Sequence, residues 1–186
     1  MEPYSGRLFK VLDNRNSCYG GYHLWVPGEW VKVKGELVPC QRGIHLCREQ
    51  DLIEWLGPEI WAAEYQGEEF IVHENKVVVR EARITTKYEN WDDRTARLLA
   101  CDYLEKVLHL CGDDPRPAEA IRVARLYAQE QATKQELSAT WAATWEYAWA
   151  AAREAARAAT WEYAWEAARN EMRQWQTEQL MKLLDG

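Results

Sequence analysis

The spacing of apolar residues changes period near residue 88, and that change divides the chain into a strand half and a helix half. Residues 8–12 are a short apolar run. Residues 29–36 (EWVKVKGE) alternate, with Trp30, Lys32 and Lys34 on one side and Val31 and Val33 on the other, the pattern of a half-exposed strand ending at Gly35. Gly20-Gly21, Pro27-Gly28 and Pro39 mark turns, and residues 49–56 read as a short helix stopped by Gly57-Pro58. Three more strands are expected at 60–65, 70–72 and 76–86. The last of these (KVVVREARITT) is the longest and most β-branched, which predicts a central place in the sheet.

Beyond Trp91 the apolar residues recur with helical spacing. Asp92 or Asp93 can cap a helix reaching about residue 110, with Ala96, Leu99, Leu104, Val107 and Leu108 as its stripe and Gly112 as its stop. Asp114-Pro115-Arg116-Pro117 then opens a helix through Ile121, Ala124, Leu126 and Tyr127, since proline is tolerated in a first turn and acids are favoured there. Thr133 and Glu136 have the spacing of a capping box. The hexapeptide TWEYAW follows twice, within blocks 143–158 and 159–174 that match at 11 of 16 positions. With Trp141 at zero on a helical wheel, Trp145 and Trp149 fall at about 40° and 80°, and Trp161 and Trp165 at about 200° and 240°. A straight helix would carry tryptophan on opposite sides in its two halves. The expectation is a break near 158–160 into an antiparallel pair, with one long helix as the alternative. The fold class expected is α+β: a small, mostly antiparallel β domain over 1–88, then a helical bundle over 89–186 ending in the Ala/Trp-rich helix or hairpin.

Composition narrows the function. The net charge is −7, and basic and acidic residues are interleaved in both halves, which supplies neither the basic footprint of a nucleic-acid binder nor the massed carboxylates of a DNA mimic. No apolar stretch reaches membrane-span length, and the first ten residues show no signal-peptide core, so a cytoplasmic protein with no membrane association is expected. Five cysteines, an odd number, fit reduced thiols in such a compartment.

Four sets of residues are candidates for chemistry or recognition. Cys18 and His23 are spaced as C-x4-H, echoed by Cys40 and His45, with Cys47 close behind; zinc takes four such ligands, although this spacing differs from the common C-x2-C knuckles. The same residues offer Cys–His nucleophile pairs. His23 or His45, Tyr65 and Glu68 or Glu69 supply the residue types of an ADP-ribosyltransferase-like pocket, and there is no Gly-rich phosphate loop. The fourth set is the aromatic tail. Trp145, Tyr147, Trp149, Trp161, Tyr163 and Trp165, with Arg153 and Arg157, have the composition of a protein-binding hot spot, and equally that of a bundle core.

The run GEWVKVKGELVPCQRGIHLC, with IWAAEYQGE after it, resembles a family of small phage and bacterial proteins that share a PC-x-x-G-x-H-L turn, a short helix and W-x-x-E-x-x-G-E. The second half, with DPRPAEAI and the Ala/Trp array, is similar to immunity proteins of bacterial toxin systems. These resemblances imply a phage or mobile-element setting and a partner protein, and they imply no reaction. The expected function is therefore a non-catalytic inhibitor or immunity-type protein that sterically blocks a bacterial effector, such as a defence or toxin nuclease, without a cofactor. An ADP-ribosyltransferase-like enzyme and a zinc-stabilised module are the alternatives.

Overall fold

The computed structural model describes residues 4–18, 23–111, 114–140 and 162–186. They form an antiparallel sheet and several helices, the α+β class. Two compact units result: Met1–Asp92 together with Arg173–Gly186, and Asp93–Met172.

In the first unit, β1 (Leu8–Asp13) is buried on both faces, as a continuous apolar run requires. It turns through Asn14 and Arg15, at φ 48° and 62°, into β2 (Asn16–Ser17). Two successive positive φ values match the twist of a tight hairpin. β3 (Val31–Lys32) and β4 (Ile44–Arg48) follow, then a 3-10 turn over Glu49–Glu54, β5 (Glu59–His73) and β6 (Lys76–Lys87). β4 and β5 both pair with β1, and both pair with β6, every pairing antiparallel. The ladder therefore closes on itself as a ring β1-β4-β6-β5, and closure removes the open edges these apolar strands would otherwise present. Leu8, Leu12, Ile44, Leu46, Val77, Val79 and Ile84 share the core of this unit, with Val31 and Val33 packed against it.

β5 corrects the sequence reading. The two strands expected at 60–65 and 70–72 are one 15-residue strand. The intervening Gln66, Gly67, Glu68 and Glu69 are exposed and polar, like a loop, but they form an irregularity in the β5–β6 ladder, with Gly67 at φ 93°. Such a bulge bends a strand without ending it. The alternation at 29–36 contributes only Val31–Lys32 to the sheet; Trp30 lies outside the ladder, under the Arg83 guanidinium at 4.7 Å.

The tip of the β5–β6 hairpin is clamped by Arg48. Its guanidinium pairs with the buried Asp51 carboxylate and donates to the carbonyls of His73 at 3.2 Å and Glu74 at 2.8 Å. The Trp55 indole donates to Asn75 O at 2.9 Å, and the Asn75 amide to Glu54 at 2.7 Å. Three consecutive carbonyls at the hairpin tip, those of His73, Glu74 and Asn75, thus accept from Arg48 and Trp55, the residues that flank the 3-10 segment.

In the second unit, α1 (Asp93–Val107) continues as a 3-10 turn over Leu108–Cys111, and α2 (Pro115–Ala128) follows. Asp114 caps α2, accepting from Arg116 N at 2.9 Å. Helix α3 begins at residue 134 and is described to 140. Its capping box forms as expected: Thr133 N donates to Glu136 at 2.7 Å and Glu136 N to Thr133 Oγ1 at 3.2 Å. Cys101, Ile121 and Ala124 make a small core, with Leu108 and Leu137 against it. Arg125 ties α2 to α1 through Asp102 at 2.7 Å and Glu105 at 2.6 Å.

Helix α4 (Glu162–Asp185) carries the chain into the first unit. Leu180 and Leu184 are buried there, and Asn90 donates to Leu183 O, one of the carbonyls a helix end leaves unsatisfied. Arg7 holds Asp185 at 2.7 Å, and Arg173 pairs with Glu54. The first unit thus takes in, besides the strand half, the segment Arg173–Gly186. Trp145, Tyr147, Trp149, Arg153, Arg157, Trp161 and the expected break at 158–160 lie outside the described residues, as do Gly20-Gly21 and Gly112; Tyr163 and Trp165 fall on the first turn of α4. Among the described residues no helix is long and apolar enough to cross a membrane.

Asp51→Ala leaves the Arg48 charge in place without its carboxylate, and a buried pair broken on one side costs about 3 kcal/mol. Denaturant unfolding is expected to show that loss, with the midpoint lowered and the slope unchanged.

Candidate functional site

β4 alternates. Ile44 and Leu46 point into the core, so His45 and Cys47 take the opposite face. There they line a pocket of about 260 Å³, together with Lys10 and Val11 of β1, Cys18, the turn at Cys40 and Gln41, Gly43, Trp55 and Lys76. Every lining residue belongs to the first unit.

Two backbone features place the pocket wall. Gly43 sits at φ 141°, and a Cβ there would overlap Val78 Cγ1. Only glycine lets this backbone lie against β6 and bring His45 opposite Val78. The preceding turn runs Val38-Pro39-Cys40-Gln41, with Gln41 N donating to Val38 O at 3.0 Å and Cys40 at φ 65°. Proline second and a positive φ third is the geometry of a type II turn, whose third position favours glycine or asparagine. Here it holds a cysteine.

The side chains then interlock. The Lys76 ammonium donates to Cys40 Sγ at 3.2 Å and lies 4.8 Å from the centre of the Trp55 ring. Cys40 N–H donates to His45 Nε2 at 3.2 Å. The Lys10 ammonium donates to the carbonyl of His45 at 3.0 Å, with the Trp25 ring 5.4 Å away. The β1–β4 ladder covers only Leu8–Arg48 and Phe9–Cys47, and the lysine takes up the carbonyl just beyond it.

Electrostatics follow from this packing. Burial lowers Lys10 to about 8. Burial, then the Lys10 and Lys76 charges, lower His45 to about 4, so its imidazole is neutral at pH 7 and Nε2 is free to accept from Cys40. Burial pushes the Cys47 thiol up to about 12, and it also raises Cys18. The lining contains two lysines and neither aspartate nor glutamate, in a chain whose net charge is −7. Among the described residues neither lysine has a carboxylate partner, although Lys76 is only 8% exposed.

The C-x4-H echo is thus brought together in part. Cys18, Cys40, His45 and Cys47 share the pocket; His23 is exposed and stands edge-on to Trp25 at 5.2 Å. Among the described residues no three His, Cys, Asp or Glu side chains converge as metal ligands would. The expected Cys–His nucleophile pair takes another form: His45 holds the backbone of Cys40, and a lysine faces its sulfur. The ADP-ribosyltransferase-like set is not assembled. His45 lines the pocket, whereas the Tyr65 hydroxyl accepts from Tyr4 N at 2.8 Å, Glu69 pairs with Arg80, and Glu68 is exposed. Lys10, Trp55 and Lys76 were missed by sequence reasoning. Lys10 had a local signal, being the one charge between the buried Phe9 and Val11.

No protein-family model matches the chain, and neither a curated protein nor a solved structure shows a significant match.

The depressed His45 value has a signed consequence for stability. The unfolded chain takes up this proton near the ordinary 6.5, the folded protein only near 4. Between those values the unfolded state binds more protons, so stability falls as pH falls. Denaturant midpoints across pH 4–7 are expected to show His45→Gln losing this part of the acid slope. A wild-type-minus-variant difference that stays constant with pH would contradict it.

Proposed function

We propose that the protein is a non-catalytic binding protein of the inhibitor or immunity type, and that the pocket beside β4 receives an acidic group of the protein it blocks. The observation that supports this reading is the pair of ammonium groups, Lys10 and Lys76, lining one pocket with no carboxylate partner among the described residues. A desolvated cation is costly unless an anion or hydrogen bonds compensate it, so such a pocket favours an anionic guest.

Size sets the class of guest. About 260 Å³ accommodates one side chain or a small anion, and it is below the range of pockets that enclose a cofactor-sized molecule. An aspartate or glutamate presented by a partner surface meets both conditions: its carboxylate reaches the two ammonium groups, and its methylenes lie against Trp55. Interfaces of this kind combine a few anchors with a charged rim and need no chemistry. The tryptophan-rich blocks at 143–158 and 159–174 add a second recognition surface by composition, with Trp145, Trp149, Trp161 and Trp165 as its anchors. The partner class is a bacterial effector, on the resemblance of the second half to immunity proteins.

Calorimetric titration with a short Asp/Glu-rich peptide, and with its Asn/Gln counterpart, tests the pocket. Only the acidic peptide is expected to bind, and Lys10→Met/Lys76→Met is expected to weaken it at least about tenfold, the equivalent of about 1.4 kcal/mol. Trp145→Ala/Trp149→Ala is expected to leave that binding unchanged. Equal binding of the two peptides, or no effect of the lysine substitutions in a folded variant, would overturn the reading.

A further inference from the structure

Three thiols line the pocket, and their surroundings differ. Cys47 is buried with its thiol pushed up to about 12, and Cys18 is half-buried and also raised. Cys40 is exposed, at the mouth, with the Lys76 ammonium 3.2 Å from its sulfur. Lys76 is itself more than nine-tenths buried and has no carboxylate partner among the described residues. An enclosed cation that faces both a solvent-reachable sulfur and an anion-sized pocket points to a reagent that carries negative charge and reacts at that sulfur. Thiols beside lysine in partly exposed sites are the reactive ones, whereas buried thiols are inert.

We propose that Cys40 is a covalent modification site that exchanges with low-molecular-weight disulfides bearing carboxylates. The Cys40 sulfur, as thiolate, attacks one sulfur of the disulfide. A Cys40–S–S–R bond forms, the original S–S bond breaks, and its electron pair leaves with the second sulfur, which takes up a proton. The proton that Cys40 gives up goes to solvent, so one thiol is consumed and one released, with no other oxidant. The carboxylates of the bound half lie toward Lys10 and Lys76. Cys47 and Cys18, held as thiols by burial, do not displace that half, so the mixed disulfide persists. The preference for an anionic reagent rests on the anion-pocket reading above; the reactivity of the sulfur rests on its own exposure and its lysine.

The test incubates the intact folded protein with oxidised glutathione, or with neutral bis(2-hydroxyethyl) disulfide, then quenches with acid and maps the labelled peptides. Cys40 is expected to be labelled about tenfold faster than Cys18, Cys47, Cys101 or Cys111 by glutathione. Lys76→Met is expected to slow it about fivefold, and Lys76→Arg, which keeps the cation, to retain most of the rate. Cys40→Gly removes the thiol and suits the positive φ of the turn, so it serves as a folded control with no adduct at 40. Labelling of Cys40 no faster than of the other cysteines with both reagents, or rates unchanged in a folded Lys76→Met protein, would overturn the proposal. If Cys40 leads equally with the neutral and the anionic reagent and still depends on Lys76, the thiol site stands and the anion-pocket reading fails.

Discussion

The first unit depends on one guanidinium. Arg48 ends β4 and joins a buried carboxylate to two carbonyls at the tip of a hairpin 25 residues further along the chain. Burying a charge is unfavourable unless it is paired and its donors are used. Here Asp51 supplies the charge, and the turn supplies two carbonyl acceptors. The arrangement sets the 3-10 segment against the hairpin. That in turn brings Trp55, at the end of the segment, beside Lys76, the first residue of β6. Two walls of the pocket are placed by contacts that are not themselves part of it.

The closed ring of strands does the rest. Because β1 and β6 both pair with β4 and β5, the core-facing side of each strand is settled once the ring shuts, and the alternate side chains are directed outward together. His45 and Cys47 of β4 reach the pocket because Ile44 and Leu46 are committed to the core. Lys10 enters where the short β1–β4 ladder stops. The positive character of the pocket arises because topology gathers two of the chain's scattered lysines and no acid into its lining.

Local signals carried much of this into the sequence. The β-branched run at 76–86, the apolar run at 8–12, the stop at Gly57-Pro58, the helix start at Asp114-Pro115 and the Thr133–Glu136 box are short-range features, and each forms within a residue or two of its expected place. The bend in β5 was hidden because a bulge and a loop share exposed polar residues and glycine. The pocket was half legible: spacing marked Cys18, Cys40, His45 and Cys47 as a set. Their partners lie far off in sequence, with Lys10 35 residues from His45 and Lys76 36 residues from Cys40. No window of helical or strand period spans such distances. The ring closure that makes them neighbours is a property of the whole sheet. The tryptophan blocks repeat clearly in sequence and lie mostly outside the described residues, while the described pocket stands among the strands.

That Arg173–Gly186 belongs to the same unit as Met1–Asp92 bears on the order in which the chain acquires its shape. During synthesis the strand segment emerges first and can pair its ladders early. Leu180, Leu184 and the carbonyl that Asn90 caps arrive only after the whole helical stretch has been made. Until then the contacts of Arg7 with Asp185, Glu54 with Arg173 and Asn90 with Leu183 O are unmade, although Arg7 can already pair with Glu49 and Glu54 can already accept from Asn75. The unit that holds the strands is therefore not finished until the helical stretch after it has been made, and a nascent chain halted before residue 173 holds the ring of strands without Leu180 and Leu184.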